Sequence, residues 1–214
     1  MSTTHVAHHF DDAEQQFQSA QLGMWIFLAT EVLFFGGLFA GYAQYRYWYP
    51  EAFAAGSGHL DLVLGTLNTT VLLGSSLSMA LAVRAAQTSH TRELVRLLIA
   101  TIALGTVFLG VKAYEYYHKW HEHLVPGRYF HLEGEHAAGM EGPVEIYFSF
   151  YFAMTGIHAL HMVIGIGVLA TLVARARRGD FHGDYFTPVE MTGLYWHLVD
   201  IVWVFLFPFL YLIG

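Results

Sequence analysis

Five long apolar segments alternate with polar segments along the 214 residues of this chain. A helix needs about 20 apolar residues to cross roughly 30 Å of hydrocarbon at about 1.5 Å per residue. Segments of this length cover residues 22–45, 62–83, 94–117, 146–174 and 189–213. We therefore predict an all-α integral membrane bundle of five transmembrane helices over residues 22–214, preceded by a polar N-terminal tail over residues 1–21.

The composition supports a membrane protein and excludes several other classes. Hydrophobic residues make up 55% of the chain and charged residues 13%, against about 25% charged residues in soluble domains. A net charge of -7 argues against a nucleic-acid partner, which requires a basic surface. The absence of cysteine excludes disulfides, iron–sulfur clusters, CxxCH haem attachment and thiolate-bound zinc or copper. The N-terminal residues lack a signal-peptide pattern, so we expect the first apolar segment to be retained as a helix.

Basic residues near the predicted helix ends favour one orientation in the membrane. The turns after the second and fourth helices contain Arg84, Arg92, Arg96, Arg175, Arg177 and Arg178. The opposite side contains Arg46, Lys119 and Arg128, with Lys112 near its helix end. Because Lys and Arg accumulate on the cytoplasmic side of membrane proteins, we predict a cytoplasmic N-terminus and a periplasmic C-terminus.

Several ionisable residues fall inside the predicted spans, where charge is costly and usually marks a function. Glu31 lies about 14 Å along the first helix at about 1.5 Å per residue. His158 and His161 are three residues apart, as are His197 and Asp200, so each pair shares a helix face. We predict that Glu31, His161, His197 and Asp200 form one buried polar cluster. Three interpretations of this cluster remain open: a hydrogen-bonded network that joins helices, a proton-handling site and a metal site.

The segment EYYHKWHEH over residues 115–123 contains the best candidate for a metal site. Glu115 and His118 form an E-x-x-H motif of the kind found in di-iron bundles, which need two such motifs on facing helices. The second E-x-x-H, from Glu133 to His136, falls in a Gly-rich loop. We therefore predict no metal in this chain, and expect Glu115 to pair with Lys112 near the outer interface. We expect the histidines that follow to lie beyond the helix end: His118, His121 and His123.

Two further surface features are candidates for contacts with partners. Gly37 and Gly41 are four residues apart, a spacing that allows close helix approach either within the bundle or to another subunit. The loop that follows the third helix is acidic and is a candidate for steering a basic donor such as cytochrome c; its carboxylates, with those at the start of the next helix, are Glu122, Glu133, Glu135, Glu141 and Glu145.

Four motifs resemble subunit III of haem-copper oxidases, and they occur in that family's order from Gln21 onward. They are MWIFLATEVLFFGG around Glu31, FLGVKAYEY ending at Glu115, TGIHALHMVIG around His158 and His161, and YWHLVDIVWVFLF around His197 and Asp200. The resemblance identifies these residues with the family's intramembrane polar positions. Many members have seven helices, whereas this chain has room for five and lacks the N-terminal pair that forms one wall of the family's lipid cleft.

The resemblance implies a subunit without haem or copper, in a bacterial plasma membrane. The redox centres would lie in partner subunits of a proton-translocating cytochrome c oxidase. Its expected partners are oxidase subunits I and II, membrane lipids including bound phospholipid, and cytochrome c near the outer loop. The expected function is to support the stability and proton uptake of the catalytic subunit. The alternatives are an accessory subunit of a quinol oxidase or nitric oxide reductase, a small membrane transporter, and a membrane metalloenzyme.

Overall fold

The computed structural model describes residues 10–132 and 139–213, and its long regular elements are all α-helices. The helices are α1 Ala13–Trp48, α2 Pro50–Gly58, α3 Leu62–Gln87, α4 Thr91–His121, α5 Glu141–Arg177 and α6 Thr187–Tyr211. The predicted all-α fold is confirmed. Five of these helices, all except α2, are long and apolar enough to cross a membrane.

The helices extend beyond the predicted apolar spans. α1 begins at Ala13, where the Asp12 side chain accepts a hydrogen bond from the Gln15 backbone N–H and caps the helix. α5 has 37 residues, which is about 55 Å at about 1.5 Å per residue. Because hydropathy detects only the part of a helix that lies in hydrocarbon, it does not reveal polar turns that continue the helix into water.

The short helix α2 was not predicted, because residues 46–61 read as a connection. Pro50 occupies its first turn, where a missing N–H costs nothing. Gly56 is buried directly under the Tyr147 ring of α5, and a Cβ atom at this position would collide with that ring. The close approach that Gly56 allows attaches α2 to α5 at one end of the bundle.

The core lies where α6 packs against α3 and α5, and the large side chains of α6 reach α4. Trp196 of α6 fills the space between two glycines, and an added Cβ would lie 3.0 Å from the Trp196 ring at Gly105 and 2.9 Å from it at Gly165. Small residues let helices approach closely in lipid, where the hydrophobic effect does not drive helices together. α6 is therefore fixed in the bundle by its large side chains.

α1 is attached by a narrow stripe. Its buried residues are Leu28, Phe35 and Tyr42, spaced by seven, and the Tyr42 hydroxyl donates to the Phe209 carbonyl in the last turn of α6. That carbonyl has no partner within its own helix, so the tyrosine satisfies it. Partly buried residues beside this stripe, such as Phe39 against Phe209 of α6, also contact the bundle, and most of the remaining surface of α1 is exposed.

The bundle has two chemically different ends. At one end, the α3–α4 turn and the α5–α6 connection bring together arginines such as Arg84 and Arg178. At the other end lie α2, the start of α3 and the end of α4. We call these the arginine end and the α2 end.

Candidate functional site

Glu31 of α1 and His161 of α5 form a polar pair inside the membrane span. The Glu31 Oε2 and His161 Nε2 atoms are 3.1 Å apart, and the side chains are 17% and 16% exposed. His161 Nδ1 lies 2.9 Å from the Ile157 carbonyl oxygen, which can only accept, so Nδ1 carries a proton. Nε2 then either accepts from a protonated Glu31 or donates to its carboxylate. In both cases one proton lies between the two side chains.

Aromatic side chains fix the position of His161. The Tyr195 hydroxyl of α6 donates to the His161 carbonyl at 2.9 Å, and its ring stacks on the imidazole with centroids 6.4 Å apart. The Phe35 ring lies 5.6 Å from the imidazole on another side. The imidazole is thus held against Glu31 by residues of three helices.

His197 and Asp200 do not join this pair, so the predicted single cluster is wrong. His197 Nδ1 is hydrogen-bonded to the Ser76 hydroxyl of α3 at 2.8 Å. Asp200 is buried beside the same serine, and neither of its carboxylate oxygens has a hydrogen bond of normal geometry among the described residues. The rotation of α6 directs both residues toward Ser76 of α3 rather than toward α1.

His158 is buried in an aromatic cage. It is 1% exposed, with the rings of Phe108 and Trp203 both 5.3 Å from its own. Neither ring nitrogen has a hydrogen-bond partner within the described residues. Although His158 is one turn from His161, it therefore joins no hydrogen-bonded network among the described residues.

A second polar centre surrounds Lys112 and Glu115 of α4. Lys112 Nζ lies 3.0 Å from Glu115 Oε2, 2.9 Å from the Tyr151 hydroxyl and 3.0 Å from the Tyr211 hydroxyl. The Tyr211 hydroxyl donates to the other carboxylate oxygen, Glu115 Oε1. All three ammonium hydrogens are thereby used, and the network joins α4, α5 and α6.

The predicted Lys112–Glu115 pair is confirmed, and the structure shows that it is buried within the bundle. Both side chains are 4% exposed, because tyrosines from two other helices close over them. Lys112 Nζ also lies 4.8 Å from the Tyr151 ring centroid and 5.2 Å from that of Trp203, which are cation–π distances. The tyrosines are 39 and 99 residues from Lys112 in sequence. A local sequence pattern around Lys112 therefore cannot predict them.

The metal-site reading finds no support in the described residues. Within residues 10–132 and 139–213 no group of three or more His, Asp or Glu side chains could hold a metal ion. Glu115 is engaged by Lys112, and His118 is exposed and bonded to the Tyr114 hydroxyl at 3.2 Å. The other E-x-x-H, Glu133 and His136, lies outside the described residues.

The fold and these sites define an α-helical integral membrane protein with paired ionisable residues inside its spans. The model of the family described as cytochrome c oxidase subunit III matches residues 2–214. The chain is 31% identical to cytochrome c oxidase subunit 3 of Thermostichus vulcanus, over 95% of this chain and 92% of that protein. The chain belongs to the cytochrome c oxidase subunit III family and is a non-catalytic subunit of a haem-copper oxidase.

Two other relatives show the range of the similarity. A probable quinol oxidase subunit 3 of Staphylococcus saprophyticus is 29% identical over 99% of this chain and 97% of its own length. A heme-copper oxidase subunit I+III of Aeropyrum pernix is 29% identical over 89% of this chain and 22% of its own length.

Proposed function

We propose that this chain is the third subunit of an oxygen-reducing, proton-translocating cytochrome c oxidase, and that it supports the stability and proton uptake of the catalytic subunit. The observation that carries this proposal is the Glu31–His161 pair, 3.1 Å apart inside the membrane span, in a chain of the subunit III family. The haem and copper of the reaction belong to the partner subunits. This chain contributes a surface that contacts the partner subunits and a pair of side chains that holds a proton beside those subunits.

The proposed partners are oxidase subunits I and II. The relative from Aeropyrum pernix is named as subunit I and subunit III in one chain, which supports a direct contact between the two parts. α1 offers a face for this contact, because Leu33 and Phe34 are exposed there and an added Cβ at Gly36 or Gly37 would meet nothing within 4 Å. Small residues on an open face allow a partner helix to approach closely. Membrane lipids, including bound phospholipid, would cover the remaining faces.

The Glu31–His161 pair would act as a proton-holding site at this contact. One proton lies between the two side chains. It can move from one side chain to the other while the total charge of the pair stays the same. The other intramembrane candidates, His158, His197 and Asp200, are proposed as secondary sites. Glu115 belongs to the separate network with Lys112.

The proposed location is the plasma membrane of a bacterium, with the arginine end in the cytoplasm. The distribution of Lys and Arg supports this orientation. The α2 end would then face the periplasm, where exposed Glu122 and Glu141 would help to attract a basic cytochrome c. The predicted loop acids Glu133 and Glu135 lie outside the described residues.

A quinol oxidase is the second candidate. It is favoured by the Staphylococcus saprophyticus relative, which is named a probable quinol oxidase subunit 3 and matches over nearly its full length. The two candidates share the subunit III role and differ in the electron donor of the complex.

The proposed function is tested by purifying the oxidase from two hosts, one that makes this chain and one in which its coding sequence is deleted. We expect the oxidase without the chain to retain its redox centres but to lose activity faster during repeated turnover and to take up protons more slowly. Equal activity, stability and proton uptake in the two preparations would contradict the proposed role.

A further inference from the structure

A cavity of about 580 Å³ opens at the α2 end between the start of α3 and the end of α4. One water molecule in the liquid occupies roughly 30 Å³, so the cavity can hold many. Its wall includes the partly buried Leu64 of α3 and the exposed Tyr114 of α4. The cavity lies at the end of the bundle opposite to the arginine end.

The cavity is lined by exposed polar residues, which we call its mouth, and by buried charged residues, which we call its floor. Its mouth is formed by His59, Asp61, His118 and Glu122, which are all exposed. Glu115 is 4% exposed and still lines the cavity. The Glu115 carboxylate therefore has two surroundings: Lys112 and the tyrosines on one side, and the cavity on the other.

Lys119 is the second buried charge of the floor. It is 5% exposed and pairs with Glu122 at the mouth, with its Nζ 2.5 Å from Glu122 Oε2. Buried charges remain costly unless they are paired or solvated. A polar cavity of this size satisfies the second condition, because water can reach both Lys119 and Glu115 from the surface.

We propose that this cavity is an aqueous vestibule that connects the Lys112–Glu115 pair to the water at the α2 end. The pair is then a second protonatable centre of the chain, reached from the end opposite to the arginines. It is separate from the Glu31–His161 pair, which faces lipid or a partner subunit at mid-span. This inference goes beyond the supporting role proposed above and does not depend on it.

The groups around the vestibule define its chemistry. Within the bundle, the Tyr151 hydroxyl of α5 faces the ammonium, and the Tyr211 hydroxyl of α6 faces both charges. Toward water, Glu115 faces His59 and Asp61 of the α2–α3 turn and His118 of α4. Imidazole and carboxylate groups therefore line the same cavity as Glu115.

Cysteine labelling in the intact oxidase complex tests whether water fills the vestibule. The chain has no cysteine, so each introduced thiol is unique in it. Leu64→Cys would line the vestibule, whereas Leu67→Cys, one turn deeper, lies outside it on a surface that is 54% exposed. Tyr129→Cys, at a position 79% exposed, controls for reagent delivery at the same end.

The reagent is a quaternary-ammonium methanethiosulfonate, which does not cross membranes. Its sulfenyl sulfur forms a disulfide with the cysteine thiolate, and methanesulfinate leaves. We expect Leu64→Cys to react at least about tenfold faster than Leu67→Cys, because the reactive thiolate forms where water reaches it. An unreactive Leu64→Cys beside a reactive Tyr129→Cys would overturn the proposal, as would equal rates at positions 64 and 67.

Carboxyl labelling tests whether the vestibule reaches Glu115. A water-soluble carbodiimide adds to a protonated carboxyl group, and glycine ethyl ester then displaces the urea to leave an amide. We expect mass spectrometry to find the Glu115 amide in the wild-type complex and to find less of it in Leu64→Trp, whose larger side chain narrows the cavity that Leu64 and Glu115 both line. Labelling of Glu122 at the mouth without labelling of Glu115 would overturn the proposal, and so would undiminished labelling of Glu115 in an assembled Leu64→Trp complex.

Discussion

Glu31 Oε2 lies 3.1 Å from His161 Nε2, and this contact joins α1 to α5 inside the membrane span. α1 is also held by apolar contacts and by the hydrogen bond from Tyr42 to Phe209, and the pair adds a polar contact with a second helix to these. The proton shared by the two side chains makes their contact sensitive to charge as well as to shape.

We expect Glu31→Gln to weaken the attachment of α1 without abolishing it. Gln can still hydrogen-bond to His161, but a neutral hydrogen bond contributes about 0.5–1.5 kcal/mol against about 1.5–3 kcal/mol for one to a charged group. Thermal unfolding of the purified complex, followed by release of this chain, measures the loss. Val32→Ala, on the exposed side of the same helix, is the control. Unchanged stability, assembly and activity in Glu31→Gln would contradict a role for the pair.

His158 and His161 should respond oppositely to the same substitution. His158→Leu replaces a buried side chain whose nitrogens have no described partner, so we expect its stability to be unchanged or increased. His161→Leu leaves Glu31 unpaired in the span, and we expect a loss of about 1–3 kcal/mol. Both variants can be compared by the temperature at which the chain leaves the complex. A larger loss in His158→Leu would show that His158 has a polar partner in the assembled oxidase.

Lys112→Met should be among the most damaging single substitutions in the bundle. It leaves the Glu115 carboxylate buried without its counter-charge, and breaking a buried pair costs about 3–5 kcal/mol. The double variant Lys112→Met with Glu115→Gln removes both charges, and we expect it to be more stable than Lys112→Met alone. Size-exclusion chromatography after graded heating measures the three proteins. A double variant that is less stable than the single one would show that the charges are not coupled.

Two glycine-to-alanine substitutions should differ in sign. At Gly65 a Cβ would lie 2.8 Å from the Phe207 ring and 2.9 Å from the Tyr211 ring, so Gly65→Ala must displace the tyrosine that bonds Glu115. At Gly23 a Cβ meets nothing within 4 Å, and alanine is favoured over glycine in a helix by about 0.8–1 kcal/mol. Thermal stability should therefore fall in Gly65→Ala and be kept or rise in Gly23→Ala. A fall in both would point to a partner subunit packed against Gly23.

The sequence predicts the helices of this protein better than its polar contacts. A membrane span is a local property, so hydropathy located all five, whereas α2 depends on Tyr147 packing over Gly56 from a distant helix. The Lys112–Glu115 pair lies within one turn and was predicted, but the tyrosines that bury it come from α5 and α6. The rotation of each helix decides whether residues at one depth meet. That rotation brings Glu31 to His161 and directs His197 to Ser76, and it follows from packing of the whole bundle.

Membership of an oxidase complex is tested most directly by what this chain binds in the cell. The chain is tagged and extracted in mild detergent, and the reduced-minus-oxidised absorption spectrum of the purified material is recorded. We expect an a-type haem signal together with larger membrane subunits, as a cytochrome c oxidase requires. A b-type signal alone would instead indicate a quinol oxidase or a nitric oxide reductase. A chain that purifies without haem and without partner subunits would contradict its assignment to an oxidase.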